Sequence, residues 1–223
     1  KETADEAGVK IITGDTKVVN RGSADKLFIN TAGIGQVPEG VNISAASARP
    51  GDKIIINGNI GDHGIAVLSQ REGLKFKLPV PSDCAPLNSL VADMLATSAD
   101  IHCLRDPTRG GLATTLNDFA VQSNAGINIE EDKIPADKAV LAACELLGLD
   151  PLYIANEGKV VAIVPAKDAE KILEVIKKNK YGQYSAIIGD VTDKRPGQVV
   201  MKTSLGSSRI VDMPVGELLP RIC

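Results

Sequence analysis

The sequence predicts an α/β (α+β) fold in which a mixed sheet is covered by helices. Three observations carry that reading. Between residues 53 and 178, runs rich in Val and Ile alternate with segments whose apolar residues recur at helical spacing. From Ser185 to Met213 three strand candidates follow one another directly, which a purely alternating parallel sheet would not need. Aromatic residues make up 3% of the chain and Trp is absent, so the core must be built from Val, Ile, Leu and Ala.

Taken in order, Lys1 to Gly8 reads as the end of a helix stopped by Gly8. Val9 to Thr13 and Leu27 to Gly35 read as strands, the second weakened at its end by Gly33 and Gly35. A helix and two strands do not make a domain, and the first Met is Met94, so the chain is expected to be a piece of a longer protein. Pro38 to Gly51 reads as a linker punctuated by Pro38, Gly40, Pro50 and Gly51. A strand then runs from Lys53 to Gly58. The loop to Gly64 leads into a helix through Leu68, with Asp62 as the expected N-cap. Pro86 to Ser98 places Leu87, Leu90, Val91, Met94 and Leu95 on one helical face. Asp100 to Leu104 is a short strand, and a helix follows to about Asn124. Gly126 to Glu130 is a strand, Ala136 to Leu147 a helix ended by Gly148, Lys159 to Val164 a buried strand and Ala166 to Lys178 a helix. Ser185 to Val191, Gln198 to Thr203 and Arg209 to Met213 complete the strands.

The 223 residues suffice for one large domain or two smaller ones. With 28 acidic against 25 basic residues and no basic block, nucleic acid and anionic membrane are not expected partners. No apolar run approaches the roughly 18 residues of a membrane span. The four cysteines, Cys84, Cys103, Cys144 and Cys223, form no CxxC pair, which argues against a zinc knuckle, a redox motif or a disulfide scaffold and makes the cytoplasm the expected setting.

Four stretches concentrate residues suited to chemistry. Gly14-Asp15-Thr16-Lys17 joins a carboxylate, a hydroxyl and a cation at a strand end, which suits a nucleotide-phosphate or metal site; it is not a Walker loop, and a solvated turn is the competing reading. In Arg105-Asp106-Pro107-Thr108-Arg109-Gly110-Gly111, Thr108 could cap the next helix, and the glycines could leave its N–H groups open to an anion. An elaborate cap with solvated arginines fits the same residues. Asn156-Glu157-Gly158-Lys159 puts a carboxylate at the mouth of a buried strand, a position for a general base or for a solvated turn. The chain closes on Pro220-Arg221-Ile222-Cys223, where a terminal thiol could travel between sites, or simply fray. His63 lies in a glycine-rich loop, His102 in a strand, and Cys103 and Cys144 among apolar neighbours where inert thiols are expected.

Together, in this order, these four motifs resemble the carbamoyl dehydratases of nickel–iron hydrogenase maturation, a branch of the aminoimidazole ribonucleotide synthetase-like superfamily that also includes selenophosphate synthetase and thiamine-monophosphate kinase. The likeness extends over essentially the whole chain, and the terminal cysteine sets this branch apart from those relatives. The resemblance implies residues 1–44 as the remnant of an N-terminal ATP-binding and dimerisation domain, 45–213 as the C-terminal α/β domain, and 214–223 as a mobile tail. It implies ATP-dependent dehydration of an S-carboxamide on Cys223 to a thiocyanate, the source of the cyanide ligand of the hydrogenase. Glu157 then corresponds to the base, and Lys17 to the group steadying phosphates or developing charge. Asp15 would hold Mg²⁺ with the nucleotide, beside Thr16, and Arg109 would shape the nucleotide site. The implied partners are a HypF-like carbamoyltransferase, an iron-carrying HypC–HypD-like scaffold and, at full length, a second copy. Two alternatives stay open: a non-catalytic docking module carrying the thiol, and a related ATP-dependent kinase or synthetase that would not need Cys223.

Overall fold

The three isoleucines of the central strand show how the molecule is layered. In this computed structural model, which describes residues 1–24, 26–74, 79–98 and 100–214, β1 (Lys53–Ile56) sends Ile54 and Ile56 to one face and Ile55 to the other. Ile54 and Ile56 pack with Leu112, Leu116 and Phe119 of α4 (Gly111–Gln122). Ile55 packs with Leu90 and Met94 of α3 (Asn88–Thr97) and Ile172 and Ile176 of α6 (Ala166–Lys178). All are essentially inaccessible to solvent, and burial of each stabilises the fold by about 2 kcal/mol.

Six further strands flank β1: β2 (Cys103–Arg105), β3 (Gly126–Glu130), β4 (Val161–Val164), β5 (Ala186–Thr192), β6 (Val199–Lys202) and β7 (Ser208–Ile210). Their order is β2-β4-β1-β5-β3-β6-β7. β3 and β6 run parallel and the other neighbouring pairs are antiparallel, so the sheet is mixed, as the strand-rich end of the sequence predicts. β4 repeats the alternation of β1, with Val161 and Ile163 toward α4 and Ala162 and Val164 toward α3 and α6. A smaller cluster joins α2 (Asp62–Arg71) to α5 (Lys138–Leu147) through Ile65, Val140, Ala143, Cys144 and Ile154. Gly148 ends α5 in the left-handed conformation, as expected. No helix among the described residues is long and apolar enough to cross a membrane.

Three expectations change. After α1 (Glu2–Ala7), residues 9–13 and 27–35 join no strand ladder among the described residues, and Ile12, Phe28 and Ile34 are 85%, 77% and 101% exposed. Local β propensity is present, but a strand is stabilised only by a neighbour, and the described residues place none beside them. The expected linker is packed from Ser44 onward, because Ser44 N–H donates to the His102 carbonyl (3.0 Å) and Ser123 Oγ bridges Ala45 and Ala48. Asp62 does not cap α2. It is the first helical residue, and Gly61 holds the N-cap at φ 86°.

Candidate active site

Asn156 is fully buried and gathers three separate segments around one turn. Its Nδ2 donates to the carbonyls of Pro107 (2.9 Å) and Ile154 (3.0 Å), its own N–H donates to the Pro107 carbonyl (3.2 Å), and its Oδ1 accepts from Gly61 N–H (2.7 Å). The Arg105–Gly111 loop and the Gly58–Gly64 loop are thereby tied to the residue that precedes Glu157. On the far side, Asn57 fixes the same turn, with Nδ2 donating to the Gly158 carbonyl (3.2 Å) and Oδ1 accepting from Val160 N–H (2.8 Å). A buried amide satisfied at every position locks backbone geometry, since a mispaired alternative would leave polar groups unsatisfied.

Glu157 is half-buried within this frame, and its Oε1 is shielded from solvent with no hydrogen-bond partner among the described residues. An acceptor carried on a fixed backbone and left unpaired is equipped to take a proton from a ligand. Its backbone is fixed by Asp83, whose Oδ1 accepts from Glu157 N–H (3.0 Å) while Oδ2 accepts from Lys159 Nζ (2.9 Å). The ion pair is buried, with the Asp83 side chain 3% exposed. Gly158 must lack a side chain here, because a Cβ would overlap the Asp83 carbonyl oxygen.

Beside the turn opens a cleft of about 300 Å³ whose walls include Asn57, Asp62, Asp83, Cys84, Lys159 and Tyr181. Burial pushes the Asp62 carboxyl up to about 6; Lys159 opposes the shift, and the charges of Asp83 and Asp137 add to it. Cys84 is the accessible thiol among the described residues. Its sulfur accepts from Ser82 Oγ (3.2 Å), which lies 2.9 Å from His63 Nδ1. His63 Nε2 is buried without a partner among the described residues. A buried, unpaired N–H is costlier than an unpaired lone pair, so the proton belongs on Nδ1 and the bonds run from His63 to Ser82 to Cys84. Cys103 and Cys144 are inert by contrast: burial pushes their thiols up to about 12 and about 11.

The Arg105–Gly111 loop makes structural contacts at both ends. Arg105 pairs with Asp118 of α4, and the N-cap is Gly110 at φ 69°, without a side-chain cap from Thr108. A Cβ on Gly111 would overlap the carbonyl oxygens of Leu152 and Ile154, so the missing side chain there permits close packing of the helix start. Arg109 is exposed at the loop's edge. Asp15, Thr16 and Lys17 lie on the exposed N-terminal arm, where Asp15 Oδ1 accepts from Thr16 N–H (2.8 Å). Among the described residues none of them is hydrogen-bonded or ion-paired to the Glu157 turn. Cys223 and its tail lie outside the described residues. Sequence reasoning singled out Glu157 but missed Asp83 and Asn57. The signal for Asp83 was the Pro81-Ser82-Asp83-Cys84-Ala85-Pro86 loop, polar and reactive residues between two prolines; Asn57, inside a strand run, left none.

Residues 49–202 match the family described as AIR synthase related protein, C-terminal domain. The chain is 54% identical over 220 residues to the carbamoyl dehydratase HypE of Azotobacter vinelandii, covering 99% of this chain and 64% of that protein. It therefore spans less than two thirds of the length of that relative. A crystal structure of hydrogenase maturation protein HypE in complex with ATP is 50% identical, covers 100% of this chain and 68% of the other, and superposes with a TM-score of 0.95. The HypE–HypF complex gives 46% identity, coverage of 96% and 69%, and a TM-score of 0.87. On the agreement of sequence, fold and domain match, the chain belongs to the HypE family of hydrogenase maturation proteins, within the AIR synthase related group.

Proposed function

We propose that this chain is the greater part of an ATP-dependent carbamoyl dehydratase, which converts an S-carboxamide on Cys223 into a thiocyanate that supplies the cyanide ligand of a nickel–iron hydrogenase. The observation that carries the reading is the shielded, unpaired Oε1 of Glu157 on a turn held at every residue, in a chain of this family. The carboxamide oxygen is a poor leaving group until phosphorylated. Transfer of the γ-phosphoryl group of ATP to that oxygen gives ADP. Loss of both amide N–H protons and of phosphate then leaves the C≡N group on sulfur. Glu157 is assigned as acceptor of a proton from the amide nitrogen. Lys17, with Thr16, is assigned to the phosphates, where a cation offsets the charge that develops during transfer. Arg109 shapes the rim.

A relative solved with ATP and another solved with HypF support ATP as substrate and a carbamoyltransferase as partner. We further assign an iron-carrying HypC–HypD-like scaffold as receiver of the cyanide, a homodimer as the full-length assembly, and the cytoplasm as its compartment. Magnesium would reach the chain through Asp15 and the nucleotide. The described residues gather no group of three or more His, Cys, Asp or Glu that could hold a metal, so one carboxylate does not complete a site and no step is assigned to the ion.

For the chain alone, a partner-docking role fits better than turnover, because Asp15, Thr16 and Lys17 sit on an exposed arm and, among the described residues, make no hydrogen bond to the Glu157 turn. Intact-mass analysis tests both readings. The chain, and a version extended by the portion its relatives carry in addition, are incubated with ATP and a carbamoyl source. The extended protein is expected to gain a carboxamide at Cys223 and then lose one water when ATP is present, while the shorter chain stops at the carboxamide. An extended protein that never loses water sinks the dehydratase. Cys223→Ala retaining full ATP turnover would point to a kinase or synthetase instead.

A further inference from the structure

We propose that Asp83 and Lys159 form a positioning pair for Glu157, holding its backbone in place while cancelling each other's charge beside its carboxylate. The proposal rests on the reading of Glu157 as proton acceptor and adds two residues to that site. Three observations support it. Asp83 contacts both ends of the turn, with Oδ1 on Glu157 N–H and Oδ2 on Lys159 Nζ, and its main chain lies against Gly158 so closely that no side chain fits between. The pair is buried, so neither charge is much screened by water. The turn is also anchored by Asn156 and Asn57, and a neutral amide at position 83 would still accept from the Glu157 N–H, though less strongly than a carboxylate. A carboxylate is needed there to balance Lys159, and Lys159 is needed to balance Asp83.

Removing one member leaves a bare buried charge next to Glu157. Asp83→Asn leaves the ammonium, which favours an ionised Glu157; Lys159→Met leaves the Asp83 carboxylate, which opposes it. The other charged or titratable groups on elements bonded to this turn are Asp62 and His63 of α2, Cys84 beside Asp83, Arg105, Asp106 and Arg109 of the loop held by Asn156, and Lys180 and Tyr181 at the cleft. None is altered by these substitutions, so the two single variants differ in the sign of what they leave behind.

The test has two arms. In this chain, the carboxyl carbon of Glu157, assigned with Glu157→Gln, is titrated by NMR in the parent, Asp83→Asn, Lys159→Met, the double variant and Lys159→Arg. The titration midpoint is expected to fall by about one pH unit in Asp83→Asn, rise by about one in Lys159→Met, and return toward the parent in the double variant and in Lys159→Arg. Midpoints that move the same way in both single variants, or do not move, overturn the proposal. If Asp83→Asn fails to fold, Lys159→Met against Lys159→Arg decides it alone. In the extended protein, the acid limb of the dehydration rate against pH is expected to follow the same opposite shifts, about tenfold in rate on that limb. Opposite shifts in the titration with an unmoved rate profile would overturn Glu157 as the base while leaving the pair's control of its carboxylate standing.

Discussion

At Asp62 the fold holds a carboxylate in surroundings that disfavour its charge. The group ordinarily titrates at 3.8 and is pushed up to about 6, first by burial. Between these values the folded chain binds more protons at this site than the unfolded chain, so stability falls as pH rises through the window and the loss is complete above about 6. Asp62→Asn removes the dependence. The full shift would correspond to nearly 3 kcal/mol, but the side chain lines an open cleft, and solvent screening reduces this to about 1 kcal/mol. Loss of a carboxylate at the start of α2 works against the variant by a few tenths of a kcal/mol, because the helix dipole favours an anion there. The stability difference between variant and parent is therefore expected to widen in the variant's favour by about 1 kcal/mol between pH 3.5 and pH 7. Urea unfolding at the two pH values measures it, and an unchanged difference would show that Asp62 is better solvated than its burial implies.

The Asn156–Val160 turn is the element on which the site depends, and its energetics lie in close approach. A Cβ at Gly158 would overlap the Asp83 carbonyl oxygen and press on the Ala85 side chain, neither of which can yield without moving the loop that carries Asp83. Gly158→Ala is expected to destabilise the chain by more than about 3 kcal/mol, whereas Gly14→Ala, with nothing near its missing side chain, should change stability by less than about 0.5 kcal/mol. Equilibrium unfolding compares them directly, and similar values for the two would refute the packing argument. The turn was half legible in the sequence. Asn156-Glu157-Gly158 before a strand marked a place for a base, but the residues that fix it come from far away: Asp83 is 74 residues earlier and Asn57 is 101 residues from Gly158. Neither has a periodicity or a motif that announces such a partner. The same limit applied to Gly110 and Gly111, a glycine pair that could open a helix to an anion: a side chain on Gly111 would meet the carbonyls of Leu152 and Ile154, and one on Gly110 would meet the Thr114 hydroxyl.

Over the whole molecule, the division between packed domain and exposed arm sets what each part contributes. The domain was legible because its strands and helices alternate around one sheet, and the two faces of β1 and β4 can be read from period two. The arm misled because Val9, Ile11, Ile12, Leu27, Phe28 and Ile29 have strand composition, while pairing is a property of the neighbour. Those side chains are between 58% and 85% exposed, so the arm contributes little burial. Among the described residues its hydrogen bonds to the domain are superficial: Glu6 with Lys180 and Tyr181, and Asn88 Nδ2 donating to the Ala7 carbonyl at 2.8 Å. Exposed ion pairs and single hydrogen bonds of this kind contribute about 0–1 kcal/mol each. A chain beginning at Val41 should therefore unfold with a free energy within about 2 kcal/mol of the parent. It should also bind less of a hydrophobic dye such as ANS, because contiguous exposed apolar surface is what such dyes report. A loss well above about 4 kcal/mol would mean that the arm takes part in the core. Dye binding that stays level would mean that its apolar side chains are covered in solution, by the arm itself or by a second copy.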